Sequence, residues 1–155
     1  MDEIIVRVLT ALEEAGIPAV RAMPDGIMPR LKGPRAAVCF ERVKRSSPGL
    51  YEYLGTEETA DRGEVERYGR RISAVLLIRV CAPDGQAVSP RVCRALEGGI
   101  RGVTIGEITA SAAVFDPVAD VFVTEVRAEL AAYLIAESTD DSVQFLDFRL
   151  EGEVK

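Results

Sequence analysis

The sequence contains no histidine, no tryptophan and only three cysteines. Histidine is the usual base of serine and cysteine hydrolases and the commonest metal ligand, so its absence removes the most frequent hydrolytic and metal sites. Cys39, Cys81 and Cys93 are odd in number and widely spaced, which argues against a disulfide framework or a Cys-x-x-Cys zinc site. Because each has apolar neighbours, we expect free thiols that fill the core.

Long apolar runs and an excess of positive charge are also lacking. No run approaches the ~20 residues of a membrane-spanning helix, and the acidic start Asp2-Glu3 lacks the basic region of a signal peptide. We therefore expect no membrane partner. The 19 Lys and Arg against 25 Asp and Glu give a net charge of −6, which argues against binding to nucleic-acid backbones.

The 155 residues, 48% of them hydrophobic and 28% charged, suit one domain spanning residues 1–155. Two helices are predicted in it. Apolar residues at steps of one, three and four predict a helix over Asp2–Ala15, which Gly16 and Pro18 end. A second helix is predicted over Ser89–Glu97, with Ser89 as N-cap.

Alternating and β-branched residues predict strands in most of the remaining chain. In the first strand, Val38 and Phe40 should lie on one face and Cys39, Glu41 and Val43 on the other. The long strand ending at Ala82 has apolar residues on both faces, so it should be central and covered on both sides. Charged residues 56–66 read as a solvated loop or hairpin tip. The predicted strands are Arg35–Arg45, Leu50–Gly55, Arg67–Ala82, Val103–Phe115 and Val143–Leu150, with another from Val118 onward.

Residues 128–137 fit both a strand face and a helical stripe, and the pattern leaves this choice open. The order of elements does not alternate as in parallel βαβ folds. It predicts an α+β fold, with a mostly antiparallel sheet on which the N-terminal helix and the second helix pack.

No motif points to catalysis. The adjacent carboxylates Glu13-Glu14, Glu57-Glu58 and Asp140-Asp141 read as solvated surface, and Gly98–Gly102 follows a helix instead of opening one, unlike a phosphate-binding loop. We therefore predict no catalytic residue, no cofactor, no metal and no enzymatic activity.

The strongest surface features are two basic clusters, Arg42-Lys44-Arg45 and Arg67-Arg70-Arg71, and two tyrosines predicted to share one strand face, Tyr51 and Tyr53. The clusters read either as an ion-pairing rim for another subunit or as charges that protect sheet edges from unwanted pairing. Tyr51 and Tyr53 suit an interface or the core about equally. The candidate subunit-interface residues are Arg42, Lys44, Arg45, Leu50, Tyr51, Tyr53, Leu54, Glu57, Glu58, Arg67, Arg70 and Arg71.

In size and element order the chain resembles the tail terminator (tail-completion) proteins of tailed bacteriophages and of related prophages or contractile particles. The resemblance lies in the helix Asp2–Ala15, the long strand Arg70–Val80, the helix Ser89–Glu97 and the strands around Asp116-Pro117. Ser46–Glu66 has no place in that pattern.

The resemblance implies a virion structural protein, assembled in the cytoplasm of a bacterial host and found in the phage tail. Such proteins form a hexameric ring that caps the tail tube, ends its polymerisation and offers the head-joining surface. The implied partners are other copies of the chain, the tail tube and head-connector proteins. DNA would pass through the ring without specific binding, which an acidic chain suits. The alternatives are another head–tail connector or baseplate protein and, third, a small enzyme of unknown class.

Overall fold

A computed structural model describes residues 2–22, 31–45, 52–60, 63–85, 87–139 and 148–151. Within these ranges two helices and eight strands form an α+β fold, as predicted. In chain order they are α1 (Asp2–Glu14), β1 (Ala19–Val20), β2 (Arg35–Arg45), β3 (Glu52–Thr59), β4 (Gly63–Ala82), α2 (Ser89–Glu97), β5 (Thr104–Ala110), β6 (Val114–Asp116), β7 (Val121–Thr139) and β8 (Phe148–Glu151).

The two longest strands, β4 and β7, are the axis of the sheet. They pair antiparallel from Val65 opposite Thr139 to Ala82 opposite Phe122. On the outer side of β4, β3 pairs with its first half and β2 with its second. On the outer side of β7, β6, β5 and β8 follow one another along the strand. Among the described strands, only β1 pairs parallel, and its partner is β2.

The main core lies between one face of this sheet and the two helices. Ile4, Val8 and Leu12 of α1 are fully buried there, as are Leu76 and Ile78 of β4. On α1 these residues recur every four positions, which puts them on one side of the helix. Neither described helix is long and apolar enough to cross a membrane.

The first half of β4 extends beyond the residues of this core, as part of a four-stranded arm. We define the arm as β3, residues 63–71 of β4, residues 133–139 of β7, and β8. The main core begins further along β4, at Ala74. Val65 and Ile135 are 3% and 1% exposed, so the arm buries apolar side chains of its own.

The structure confirms the predicted helices and the central place of β4, with corrections at the boundaries. Residues 56–59 continue β3 and residues 63–66 begin β4, so the structure bears out the hairpin alternative for the charged segment, with both strands longer than predicted. The predicted strand Val103–Phe115 is broken at 111–113 into β5 and β6. Residues 128–137 are all strand, because β7 runs unbroken alongside β4. The residue before α2, Val88, occupies the N-cap position, so Ser89 is not the cap.

Two predictions about faces were wrong. A bulge at Glu41 shifts the register of β2, which places Val43 opposite Ala74 on the helix-covered face instead of with Cys39. The other face of β4 is not fully covered in the single chain, since Val75 and Leu77 are only partly buried. We call this second face the open face.

The cysteines are free, but only Cys81 is buried. Cys39 is exposed and Cys93 is intermediate, so the prediction of three core thiols was wrong for Cys39. Cys39 lies opposite Leu77, on the open face. Most of the predicted last strand, 143–147, lies outside the described residues, whereas its end is β8.

Candidate subunit interface

Most of the predicted interface residues lie on the arm or beside its base. Leu50 and Tyr51 fall outside the described residues, so the proposed pairing of Tyr51 with Tyr53 on one face is untested. Arg45 is the last residue of β2. The others divide between the two faces of the sheet, because side chains alternate along each strand.

Three of the predicted cations come together on the open face. Arg42 lies opposite Val75 and Lys44 opposite Ser73, while Arg71 precedes Ser73 on the same face of β4. The three line a groove of about 680 Å³ with Thr104 and Glu129. We call it the basic groove, since it holds three cations and one carboxylate.

The other two predicted interface arginines of β4, Arg67 and Arg70, do not line this groove. Arg67 forms an ion pair with Glu57 across the hairpin, at 3.2 Å between Nη1 and Oε2. Arg70 lies opposite Leu134, on the face that continues the helix-covered side. The sequence cluster of arginines is therefore divided between the two faces, and Arg67 and Glu57 are paired within the chain.

At the far end of the arm, two carboxylates face each other. Glu58 of β3 and Glu64 of β4 are directly opposite in the antiparallel register, and both are exposed. Like charges in this arrangement repel and destabilise the pair of strands. Within the described part of the chain neither has a cation as partner. We call Glu58 and Glu64 the acidic tip.

An exposed aromatic and aliphatic pair lies at the base of β3. Tyr53 and Leu54 are 57% and 43% exposed. The Tyr53 ring contacts Tyr68 edge-on, with centroids 5.5 Å apart. A register shift at Leu54 brings its side chain over Gly69, where an added Cβ would come within 2.6 Å of Leu54 Cδ1. Gly69 therefore makes the room that Leu54 occupies.

The sequence reading missed a chain of charges that crosses the open face. Arg127 of β7 donates from Nε to both carboxylate oxygens of Glu41 on β2, at 3.1 and 3.2 Å, and so spans β4. Glu125 binds Arg127 at 3.0 Å and accepts a hydrogen bond from Arg79 at 2.9 Å. The bond from Arg79, together with Arg127, lowers the pKa of the Glu125 carboxyl from its usual value. The alternating charges of β7 can be recognised in the sequence. The sequence does not show which residues of the other strands form ion pairs with them.

Among the described residues, no group of three or more Cys, Asp or Glu side chains is placed to hold a metal ion. The pKa of the Cys81 thiol is raised by its burial, which makes it a poor nucleophile. What the surface does offer is opposite charges at separate places, the acidic tip and the basic groove. That arrangement suits the recognition of a protein surface.

No protein-family model matches the sequence, and no curated protein is significantly similar to it. The arm and the basic groove are therefore the structural features that bear on function.

Proposed function

We propose that the protein assembles head to tail into a ring, in which the acidic tip of each copy enters the basic groove of the next. The observation that carries this proposal is the pair Glu58 and Glu64, two exposed carboxylates that are directly opposed on paired strands of the arm. Cations supplied by another subunit would remove their mutual repulsion.

The acidic tip cannot reach the groove of its own chain. Glu64 and Ser73 lie on one continuous strand, so at ~3.3 Å per residue they are about 30 Å apart. The arm points away from the groove, and its pairing to β7 keeps it extended. A second copy is therefore the occupant that this proposal requires.

The two contact surfaces, the acidic tip and the basic groove, are different, and this difference determines the symmetry of the assembly. A contact between different patches is heterologous, and it closes into a ring when the rotation between copies allows it. Exposed ion pairs contribute only ~0.2–1 kcal/mol each, so several must act together. Tyr53 and Leu54 on the same arm offer exposed apolar surface that could be buried in the contact.

As the role of this ring we propose that of the bacteriophage tail terminator. The ring caps the tail tube, ends its polymerisation and presents the surface for head joining in the virion. The sequence resemblance, the separate acidic tip and basic groove, and the acidic net charge of −6 support this role, since an acidic wall would repel passing DNA. A head–tail connector or a baseplate protein of the same particle is the alternative.

Light scattering on a sizing column tests the assembly. The wild-type protein should give a discrete ring of about six copies, and Glu58→Lys/Glu64→Lys should give smaller species. The matched control is Glu13→Lys/Glu14→Lys, which reverses two exposed charges on α1 and should leave the ring intact. A rescue variant adds Arg42→Glu/Lys44→Glu to the tip reversal and should restore the ring. A monomeric wild type, or equal loss in both reversals, would contradict the proposed contact.

Electron microscopy of phage particles produced without this protein tests the proposed role as tail terminator. Tail tubes of uncontrolled length without heads are expected for a missing terminator. Tails of normal length with a defective neck or baseplate would instead support the alternative.

A further inference from the structure

The acidic tip and two tyrosines lie on the same face of the arm. Every second residue of β4 from 64 to 68 points to the side that continues the helix-covered face, and the residues of β3 opposite them do the same. These side chains form three rows across the two strands. We call them the arm face, and its rows, from the tip inward, are Glu58–Glu64, Thr56–Glu66 and Tyr53–Tyr68.

Hydrogen bonds within the arm face order its inner rows. The Tyr68 hydroxyl donates to Glu66 Oε2 at 2.7 Å, and the Tyr53 hydroxyl lies 2.8 Å from Thr56 Oγ1. Glu66 and Tyr53 are both exposed, so a partner can contact them. Within the described part of the chain Glu66 forms no ion pair. Arg70 is the next residue of β4 on this side, so the negative charge is confined to the two outer rows.

The cations of the basic groove follow one another with the same spacing on the open face. Arg42, Lys44 and Arg71 lie level with residues 75, 73 and 71 of β4. Measured along β4, neighbouring cations are therefore two residues, or about 6.6 Å, apart. Glu129, the one carboxylate that lines this groove, is opposite residue 75 and so shares the level of Arg42.

The equal spacing restricts how the arm of one copy can lie in the groove of the next. Sheets that pack face to face keep their strands within about 30° of each other, so the arm would lie nearly along β4 of the next copy. In either direction the middle row then places Glu66 beside Lys44. Glu129 selects the direction, because it repels the two carboxylates of the tip. The tip therefore lies at Arg71, and the tyrosine row lies at Arg42.

We propose that in the ring Glu66 binds Lys44 of the next copy, and that the tyrosine row forms a cation–π site for Arg42 of that copy. This inference rests on the proposed function and adds the register and direction of the contact. An arginine guanidinium stacks on aromatic rings, and Tyr53 offers an exposed one.

The register brings successive copies together without overlap of their cores. Residue 64 of one β4 lies level with residue 71 of the next, an offset of seven residues or about 23 Å. The helix-covered core, which begins along β4 at Ala74, then lies level with residue 81 of the next copy. There β4 of that copy ends, at Ala82, so the helices of the first copy lie beyond the groove they serve.

Charge exchange tests the pairing of Glu66 with Lys44, with mass photometry over a dilution series as the measurement. Glu66→Lys and Lys44→Glu should each raise the concentration of half-dissociation of the ring by about fivefold or more. The double variant Glu66→Lys/Lys44→Glu should recover most of that loss. Glu66→Lys/Lys32→Glu is the matched control, because it has the same charges but changes an exposed lysine that does not line the groove. It should stay as weak as Glu66→Lys.

Replacement of Tyr53 tests the cation–π site. Tyr53→Phe keeps the aromatic ring and should assemble as the wild type does. Tyr53→Leu keeps an apolar side chain without the ring, and should raise the concentration of half-dissociation by about two- to fivefold. Equal behaviour of the two variants would contradict a role for the ring.

Disulfide cross-linking tests the direction of the arm. In a Cys39→Ser background, Tyr53→Cys/Arg42→Cys should give covalent oligomers under mild oxidation, whereas Tyr53→Cys/Arg71→Cys should not. The reverse pattern would overturn the direction. If Glu58→Lys/Glu64→Lys breaks the ring while the charge exchange recovers nothing, the tip contact stands and the register proposed for it is wrong. A monomeric wild type would overturn both.

Discussion

Glu58 and Glu64 face each other across the two strands at the end of the arm, and both are exposed to solvent. The sequence placed them six residues apart in a charged segment, whereas the register makes them direct neighbours. A repulsive pair on an otherwise well-paired hairpin weakens the isolated subunit. A neighbouring subunit that supplies cations would relieve this repulsion, which is the docking role proposed for the tip.

Neutralising the acidic tip should have opposite effects on the stability of the subunit and on the stability of the ring. In Glu58→Gln/Glu64→Gln the repulsion is removed, so the free energy of unfolding of the dissociated subunit should rise by ~0.2–1 kcal/mol. The same change removes the charges that bind the basic groove, so the ring should dissociate at lower salt than the wild type. Urea unfolding of dissociated protein and sizing across a salt series measure the two effects. A less stable subunit, or a ring of unchanged salt resistance, would contradict this account.

Truncation of the central strand should be costly. Leu76 and Ile78 are both fully buried between β4 and the helices. Leu76→Ala or Ile78→Ala should lower the free energy of unfolding by ~2–5 kcal/mol, because each leaves a cavity in packed surroundings. Val43→Ala is the control, since Val43 lies on the same face but is 40% exposed. Its loss should be well below that of the other two in urea unfolding.

The thiols should differ sharply in reactivity. Cys39 is exposed, whereas Cys81 is buried and burial raises the pKa of its thiol. A maleimide reagent should label Cys39 in the folded protein long before Cys81, which reacts only after unfolding. Mass spectrometry of digested samples locates the label. Replacing all three cysteines by serine or alanine should leave assembly intact with some loss of stability; failure of a folded triple variant to assemble would contradict a purely structural role.

Local sequence signals predicted the positions of helices and strands better than they predicted which strands pair and in what register. The helix over α1 and the strand β2 were placed by apolar periodicity, glycine and proline, all of which act within a few residues. The bulge at Glu41 and the break at 111–113 were not predicted, because register depends on the neighbouring strand. Residues 128–137 became strand through pairing with β4, which overrode their helical propensity.

The sequence indicated which charged residues belong to the candidate interface. It did not indicate how the sheet arranges them. Charge clustering singled out Arg42, Lys44 and Arg71, which the sheet does bring to one groove. The same clustering also selected Arg67, which the structure pairs with Glu57 inside the hairpin. Only the strand register separates these cases, and no sequence pattern encodes it directly. The exposure of Val114, Phe115 and Val118 was not predicted either, because they resemble ordinary strand residues in sequence.

The network that crosses the open face should make stability fall in acid through Glu125. Hydrogen bonds from Arg79 and then Arg127 lower the pKa of this carboxyl below its usual value of 4.5. A group whose pKa is lower in the folded state stabilises the fold above its unfolded pKa, and this contribution disappears as pH falls through the folded value. The stability difference between wild type and Glu125→Gln should thus be constant near neutral pH and shrink below about pH 4.5. Urea unfolding of both proteins across that range measures it, and Glu13→Gln on α1 controls for the loss of an exposed carboxylate. High salt should reduce the difference as well, because the participating side chains are partly exposed. A difference that persists unchanged into acid would mean that the Glu125 charge contributes nothing and that its packing alone matters.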